Sequence, residues 1–326
     1  MKTVIIKFGG SSLADPGRIR RAAASVLAAR RRGVRPVAVV SAPADATDDL
    51  LKLAALAAGE RRSPRETDAL LAAGEQISAA LVALAIEAEG GRAVSLTGAQ
   101  AGLRTDSYFS SASVKAADTR RLRRELAAGR VPVVAGFQGV DRHGDITTLG
   151  RGGSDLTAVV LAAALGSGLC EFRTDVKGIY TAHPAIVPEA RVIPRLTYGE
   201  VAALAALGTE VRQLRAVLYA RRRRVPLRLR SSFHDDPGTL VTAAAPGSGV
   251  ACLSLKKEGG SALASAVGRA LDRRHQARAL AAAQAAGLRA EALGLSRGAF
   301  TLAVPEADGE TLLRALHGEF FGGRRH

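Results

Sequence analysis

Short runs of aliphatic and β-branched residues recur along the chain. Longer stretches separate them, in which apolar positions return every three or four residues. The runs at 3–8, 36–41, 92–96, 131–135, 169–174 and 225–230 read as strands. Helices are expected near 16–32, 47–58, 65–89, 113–128, 155–165 and 198–222, the last breaking at Gly208. In the third helix Leu70, Ile77, Leu81 and Leu84 form the apolar stripe of an amphipathic helix, with Glu75 on the other face. Such alternation predicts an α/β fold, a three-layer α/β/α sandwich with a mostly parallel sheet. Ligands of such sheets sit at the carboxyl ends of the strands, so the loops there are where chemistry is sought.

The pattern changes at 237–249, where DDPGTLVTAAAPGSG marks a linker. Beyond it a strand (251–255), a helix (261–285), two strands (288–295 and 299–304) and a helix (309–320) are expected. This order describes a small α+β module. The last helix carries Leu312, Leu313, Leu316 and Phe320 on one face, expected to pack on its own sheet. The expected domains are therefore 1–242 and 250–326.

Composition narrows the function classes. The 326 residues carry a net charge of +16, which raises nucleic acid or an anionic membrane as a partner. Seven of the 46 basic residues are lysine and the rest arginine, scattered over helices in an alanine-rich background. The densest run, Arg221 to Arg224, reads as the solvated end of a helix. Tryptophan is absent and aromatic residues make up 4%, so stacking platforms for bases are scarce and no nucleic-acid partner is expected. Two cysteines, Cys170 and Cys252, suit a reducing compartment rather than a disulfide scaffold. The apolar run of MKTVIIKFGG is too short for a signal peptide, and no stretch is expected to supply the ~20 apolar residues that span a bilayer. A cytoplasmic protein with no membrane partner is the expectation.

Three loops carry candidate chemistry. Lys7-Phe8-Gly9-Gly10-Ser11-Ser12 closes the first strand, and its glycines let backbone N–H groups approach an anion beside the Lys7 charge. A tight turn with an exposed lysine is the plainer reading of the same residues. Thr147-Thr148-Leu149-Gly150-Arg151-Gly152-Gly153-Ser154-Asp155 runs into an apolar helix. Ser154 or Asp155 can cap that helix, the glycines leave its amides open to an anion, and Arg151 can fork a carboxylate. Thr174-Asp175 through Tyr180 to Pro184 follows another strand, and its tyrosine and polar atoms suit a base and ribose.

Together these segments resemble the aspartokinases, within the amino acid kinase family. The resemblance covers most of residues 1–240: KFGGSSLAD, SLTGAQAGLRTD at 95–106, TTLGRGGSDLTAV at 147–159, CEFRTDVKGIYTAHPAIVPEAR at 170–191 and VPLRLRSSFHDDPGTL at 225–240. It implies ATP and Mg²⁺ as cofactors, aspartate as substrate, 4-phospho-aspartate as product and a homo-oligomer, a dimer. By the same resemblance Lys7, Gly9, Gly10 and Ser11 hold phosphates, and Ser41 and Thr47 contact substrate. Glu75 receives the aspartate amino group, Arg151 its α-carboxylate, and Ser154 and Asp155 complete that loop. Lys7 and Asp155 are the catalytic pair, Thr174, Asp175 and Tyr180 meet the nucleotide, and no protein-held metal site is implied.

The chain departs from the family at the nucleotide side. His183 and Ala185 stand where the family has an aspartate and an arginine, and Glu210 replaces a lysine that contacts phosphates. Arg212 or Arg215 is expected to reach in instead. His183 has no ligand-spaced His or Cys partner and reads as a loop residue. Regulated relatives carry two ACT modules, whereas 251–326 supplies one incomplete ACT-like unit. Two readings stay open: an ATP-dependent aspartate kinase, or a homologue that binds an amino acid without transferring phosphate.

Overall fold

The computed structural model describes residues 2–207 and 214–323. The chain runs β1 (Thr3–Phe8), α1 (Pro16–Arg31), β2 (Arg35–Val40), α2 (Ala46–Ala58), α3 (Pro64–Ala88), β3 (Ala93–Leu96), β4 (Leu103–Thr105), β5 (Val114–Ala117), α4 (Arg120–Ala127), β6 (Val131–Ala135), β7 (Gln138–Val140), β8 (Ile146–Thr148), α5 (Gly153–Leu165) and β9 (Cys170–Thr174). It continues through β10 (Arg195–Thr197), α6 (Tyr198–Ala206), α7 (Leu214–Arg223), β11 (Leu227–Ser231), β12 (Thr239–Thr242), β13 (Gly249–Glu258), β14 (Ser261–Arg269), α8 (Arg273–Ala285), β15 (Glu291–Leu295), β16 (Ala299–Pro305) and α9 (Gly309–Phe321).

Two compact units result: residues 1–177 with 219–236, and residues 178–218 with 237–326. In the first, β11, β9, β1, β2, β6 and β3 lie side by side in that order, every neighbouring pair parallel. Alternation along β1 explains the layers. Ile6 and Phe8 join a core with Ala23 and Val26 of α1 and Val82 and Ile86 of α3, whereas Lys7 points to the opposite face, where α5 lies. A smaller sheet, β5-β4-β7-β8, feeds its last strand into the glycine loop before α5. Local signals set the helix ends. Asp15 caps α1 by accepting the Arg18 N–H at 2.8 Å, with Pro16 in the first turn. In the second unit Thr197 and Glu200 form a capping box at the start of α6.

The apolar stripe of α3 faces outward. Ile77 is 54% and Leu84 61% exposed, while Glu75, Ala79, Val82 and Ile86 are buried. The inner face combines small residues such as Ala72, Gly74 and Ala79 with Leu71, Val82 and Ile86, so α3 carries aliphatics on both faces. At 25 residues α3 is also long and apolar enough to span a bilayer, which corrects the expectation that no stretch approaches that length. Half of its most apolar window is buried within the fold, as in the core helix of a globular domain. The stretch 113–128, expected to be one helix, is β5 followed by α4.

The compact units do not coincide with the expected domains 1–242 and 250–326. Residues 178–218 group with the C-terminal part because the Leu253 N–H donates to the Thr181 carbonyl at 2.8 Å, and Ala182 and Val187 enter the C-terminal core. That part is an antiparallel sheet, β13-β14-β16-β15, with α8 and α9 packed together on it. The order is ββαββα, because the first third of the expected helix 261–285 is strand β14. Ala262, Ala264 and Ala266 alternate inward there, and alanine carries no strand signal of its own. Leu312, Leu313 and Leu316 pack on this sheet as the sequence predicts, and Phe320 lies against the same core.

The inward face of α3 has a direct test. Ile86→Ala should cost roughly 3 kcal/mol, against less than about 0.5 kcal/mol for Leu53→Ala on exposed α2, both read by urea denaturation.

Candidate active site

Parallel strands end together, so the loops after β1, β2, β6 and β9 gather at one edge of the sheet. Lys7, one residue before the end of β1, is buried, and its Nζ lies 2.7 Å from Oδ1 of Asp155 in the first turn of α5. The acid sits where the helix N-terminus favours negative charge. Gly152, at φ +67°, turns the chain into α5 in a left-handed conformation that side chains resist. Arg151 precedes it in the same turn, and Ser154 is buried against Gly136 at the end of β6.

After β1 the backbone folds tightly. A Cβ at Gly10 would lie 2.9 Å from the Ala42 carbonyl oxygen, so the two loops approach as only glycine allows. The Gly9 N–H donates to the Arg173 carbonyl, and the Ser41 N–H to that of Phe8, each at 3.2 Å. Ser11 accepts Arg18 Nη1 on its carbonyl at 2.6 Å. Thr47 is half-buried in the first turn of α2. At the end of β9, Thr174 is buried and its carbonyl accepts the Ser232 N–H at 2.7 Å, while Asp175 is exposed.

Glu75 is the most perturbed acid of the site. Its Oε1 accepts the Ala42 N–H at 3.0 Å, while Oε2 is buried with no hydrogen-bond partner among the described residues. Burial pushes its pKa up to about 7, opposed by the Ala42 hydrogen bond and the Lys7 charge. A buried acceptor oxygen without a donor is costly, and an ammonium group is the partner that would satisfy it.

Lys7, Gly9, Gly10, Ser11, Ser41, Thr47, Glu75, Arg151, Ser154, Asp155, Thr174 and Asp175 all belong to the first unit, whereas Tyr180 lies in the second, bridged to Val192. Arg212 and Glu210 lie outside the described residues. His183 is exposed in its loop, where its Nδ1 accepts the Ala185 N–H at 3.3 Å. Sequence reasoning missed the support of the first loop. Ser12 Oγ lies 2.7 Å from Ser232 Oγ, and Arg18 and Arg21 each hold a guanidinium 5.3 Å from the Phe233 ring centroid. The Ser-Ser-Phe at 231–233 was the available signal.

Comparison with known proteins decides the family. Residues 2–231 match the model of the amino acid kinase family. The chain belongs to that family. It is 50% identical over 242 residues to an aspartokinase of Corynebacterium efficiens and 51% identical to one of Mycobacterium tuberculosis, covering 74% of this chain and 57% of each relative. The chain thus spans less than two thirds of the length of these relatives. Among solved structures, Escherichia coli aspartokinase III in complex with aspartate and ADP superposes with a TM-score of 0.84 at 23% identity, covering 98% of this chain and 100% of that one. The aspartate kinase of Synechocystis gives 0.68 at 28% identity, covering 97% and 68%.

The raised Glu75 pKa has a stability signature. A buried carboxyl that keeps its proton contributes stability in full below about 4.5, and that contribution is lost as pH rises through about 7. Glu75→Gln should therefore melt like the parent at pH 5 and higher than it at pH 8, by up to roughly 3 kcal/mol. Thermal melts at the two pH values check this.

Proposed function

We propose that the chain is an ATP-dependent aspartate kinase, forming 4-phospho-aspartate. The observation that carries the reading is the unpartnered Oε2 of Glu75, a receptor for an α-ammonium group within electrostatic reach of Lys7. The aspartokinase relatives and the matching loops support the same substrate. Glu75 takes the ammonium and Arg151 the α-carboxylate of aspartate, with Ser41, Thr47 and Ser154 lining its path. The side-chain carboxylate is ionised at neutral pH, so no strong base is required. One of its oxygens bonds to the γ-phosphorus of ATP as the bond to the ADP oxygen breaks.

Catalysis then reduces to aligning two anions and offsetting their repulsion. Lys7 and the amides after β1 supply positive charge at the phosphates, and Asp155 holds the Lys7 ammonium in place. Thr174, Asp175, Tyr180 and Arg212 are assigned to the nucleotide. Mg²⁺ would add charge neutralisation at the transferring phosphoryl group. The described residues hold no cluster of three candidate metal ligands, a donor set that suits a cation carried chiefly by the phosphates, with Asp155 the nearest acid to Lys7. The intact Lys7–Asp155 pair favours a working kinase over an amino-acid-binding homologue. We assign 1–242 to catalysis and 250–326 to a single ACT-like module, and place the protein in the cytoplasm, where ATP is supplied.

The exposed face of α3 supports a homodimer. Leu70, Ala73, Leu81 and Leu84 fall seven and four residues to either side of Ile77, and Arg65 and Glu89 fall twelve to either side. A two-fold axis at Ile77 would set like aliphatics and opposite charges against each other.

Hydroxylamine trapping of acyl phosphate from ATP, Mg²⁺ and aspartate should give product. Lys7→Ala should lower kcat by about 10²-fold or more, and absence of product from the parent enzyme would remove the assignment. Sedimentation velocity should show a dimer that Ile77→Asp converts to monomer with unchanged circular dichroism.

A further inference from the structure

We infer that Asp68 is a positioning residue that sets the separation between the two ends of the amino-acid site, Glu75 and Arg151. The inference rests on the aspartate reading above and extends it to a residue outside the proposed contacts. Asp68 is fully buried in the second turn of α3, seven residues before Glu75 on the same inward face. Two helical turns, about 10 Å, separate them.

The Asp68 side chain gathers donors from two other segments. Its Oδ2 accepts the Thr148 N–H at 2.7 Å and its Oδ1 the Thr148 hydroxyl at 2.9 Å. The Ser110 N–H is shared between the two oxygens at 3.0 and 2.9 Å. Thr148 closes β8, three residues before Arg151, and its carbonyl accepts the Ala112 N–H at 2.8 Å. Ser110 is held at φ +67°, and its carbonyl oxygen would lie 3.2 Å from a Cβ at Gly150, which itself sits at φ +75°. Asp68 therefore pins both the start of the Arg151 turn and the segment that backs it, from the helix that bears Glu75. One rigid element carries the amino-group receptor and anchors the carboxylate receptor. An α-amino acid presents its ammonium and carboxylate at a fixed spacing, and Asp68 makes the protein's spacing equally fixed.

Asp68→Asn keeps the shape but turns an N–H donor toward other donors, and Thr148→Val removes one donor from an otherwise intact chain. Asp68→Asn should raise KM for aspartate by about tenfold, with Thr148→Val smaller and KM for ATP within about twofold. In an Arg151→Ala background the Asp68→Asn effect should shrink below about twofold, because Asp68 acts through Arg151. Equal rises in both KM values, or effects that multiply across the two variants, would overturn the inference. A readout without substrate separates it from the kinase assignment. Hydrogen exchange at residues 148–153 should accelerate at least about tenfold in Asp68→Asn while β1 and β6 stay protected. Unchanged exchange there would refute the role of Asp68 even in an active enzyme. An inactive parent with the predicted exchange would refute the aspartate reading alone.

Discussion

A lysine and an aspartate removed from water at 2.7 Å form the interaction on which the site depends. Each charge is tolerable there only because of the other, and deleting one partner leaves a buried ion without compensation. The pair also joins two distant parts of the chain, β1 and the first turn of α5. The glycine turn that follows Lys7 and the one that precedes Asp155 are both leashed to it. Because β1 is flanked by β2 and β9 in parallel register, the loops after those strands reach the same edge.

The loops were the most legible part of the sequence. Glycine at a strand end, followed by serine, arginine or aspartate, marks a strand-to-helix turn, and the blocks around Lys7 and Arg151 do lie in the turns after β1 and β8. In the helix that bears Glu75 the sequence placed Glu75 opposite the Ile77 stripe, as found, but did not show which face is buried. Its inner face mixes the small residues Ala72, Gly74, Ser78 and Ala79 with Leu71, Val82 and Ile86, while Ile77, Leu81 and Leu84 look outward. Aliphatics on both faces leave a hydrophobicity pattern without a clear inner side. Strand β14 was hidden for a related reason, since alternate alanines suit both a helix and a tightly covered strand. The strands of the small sheet are three or four residues long, too short for any period to show.

The arginine excess has little structural weight by comparison. Most of the described guanidiniums are exposed, in loops as well as helices, and pairs such as Arg120 with Asp118 are solvent-facing, where an ion pair is worth about 0–1 kcal/mol. A few are built in. Arg173 is buried, bonded to Glu171 and to the Ser231 carbonyl, and its own carbonyl receives Gly9. Burial lowers its pKa, and the Glu171 charge opposes that shift. A guanidinium inside the sheet thus fixes the backbone that meets the loop after β1.

With Glu75 as the proposed ammonium receptor, its unsatisfied oxygen would tie survival of the protein to its ligand. The free protein bears the cost of a buried acceptor, and a bound ammonium group relieves it. Occupied molecules unfold less often, so fewer are exposed to proteolysis at any moment. Cellular abundance of this chain would then follow the supply of the amino acid it binds. Scarcity would thin its population without any change in its synthesis.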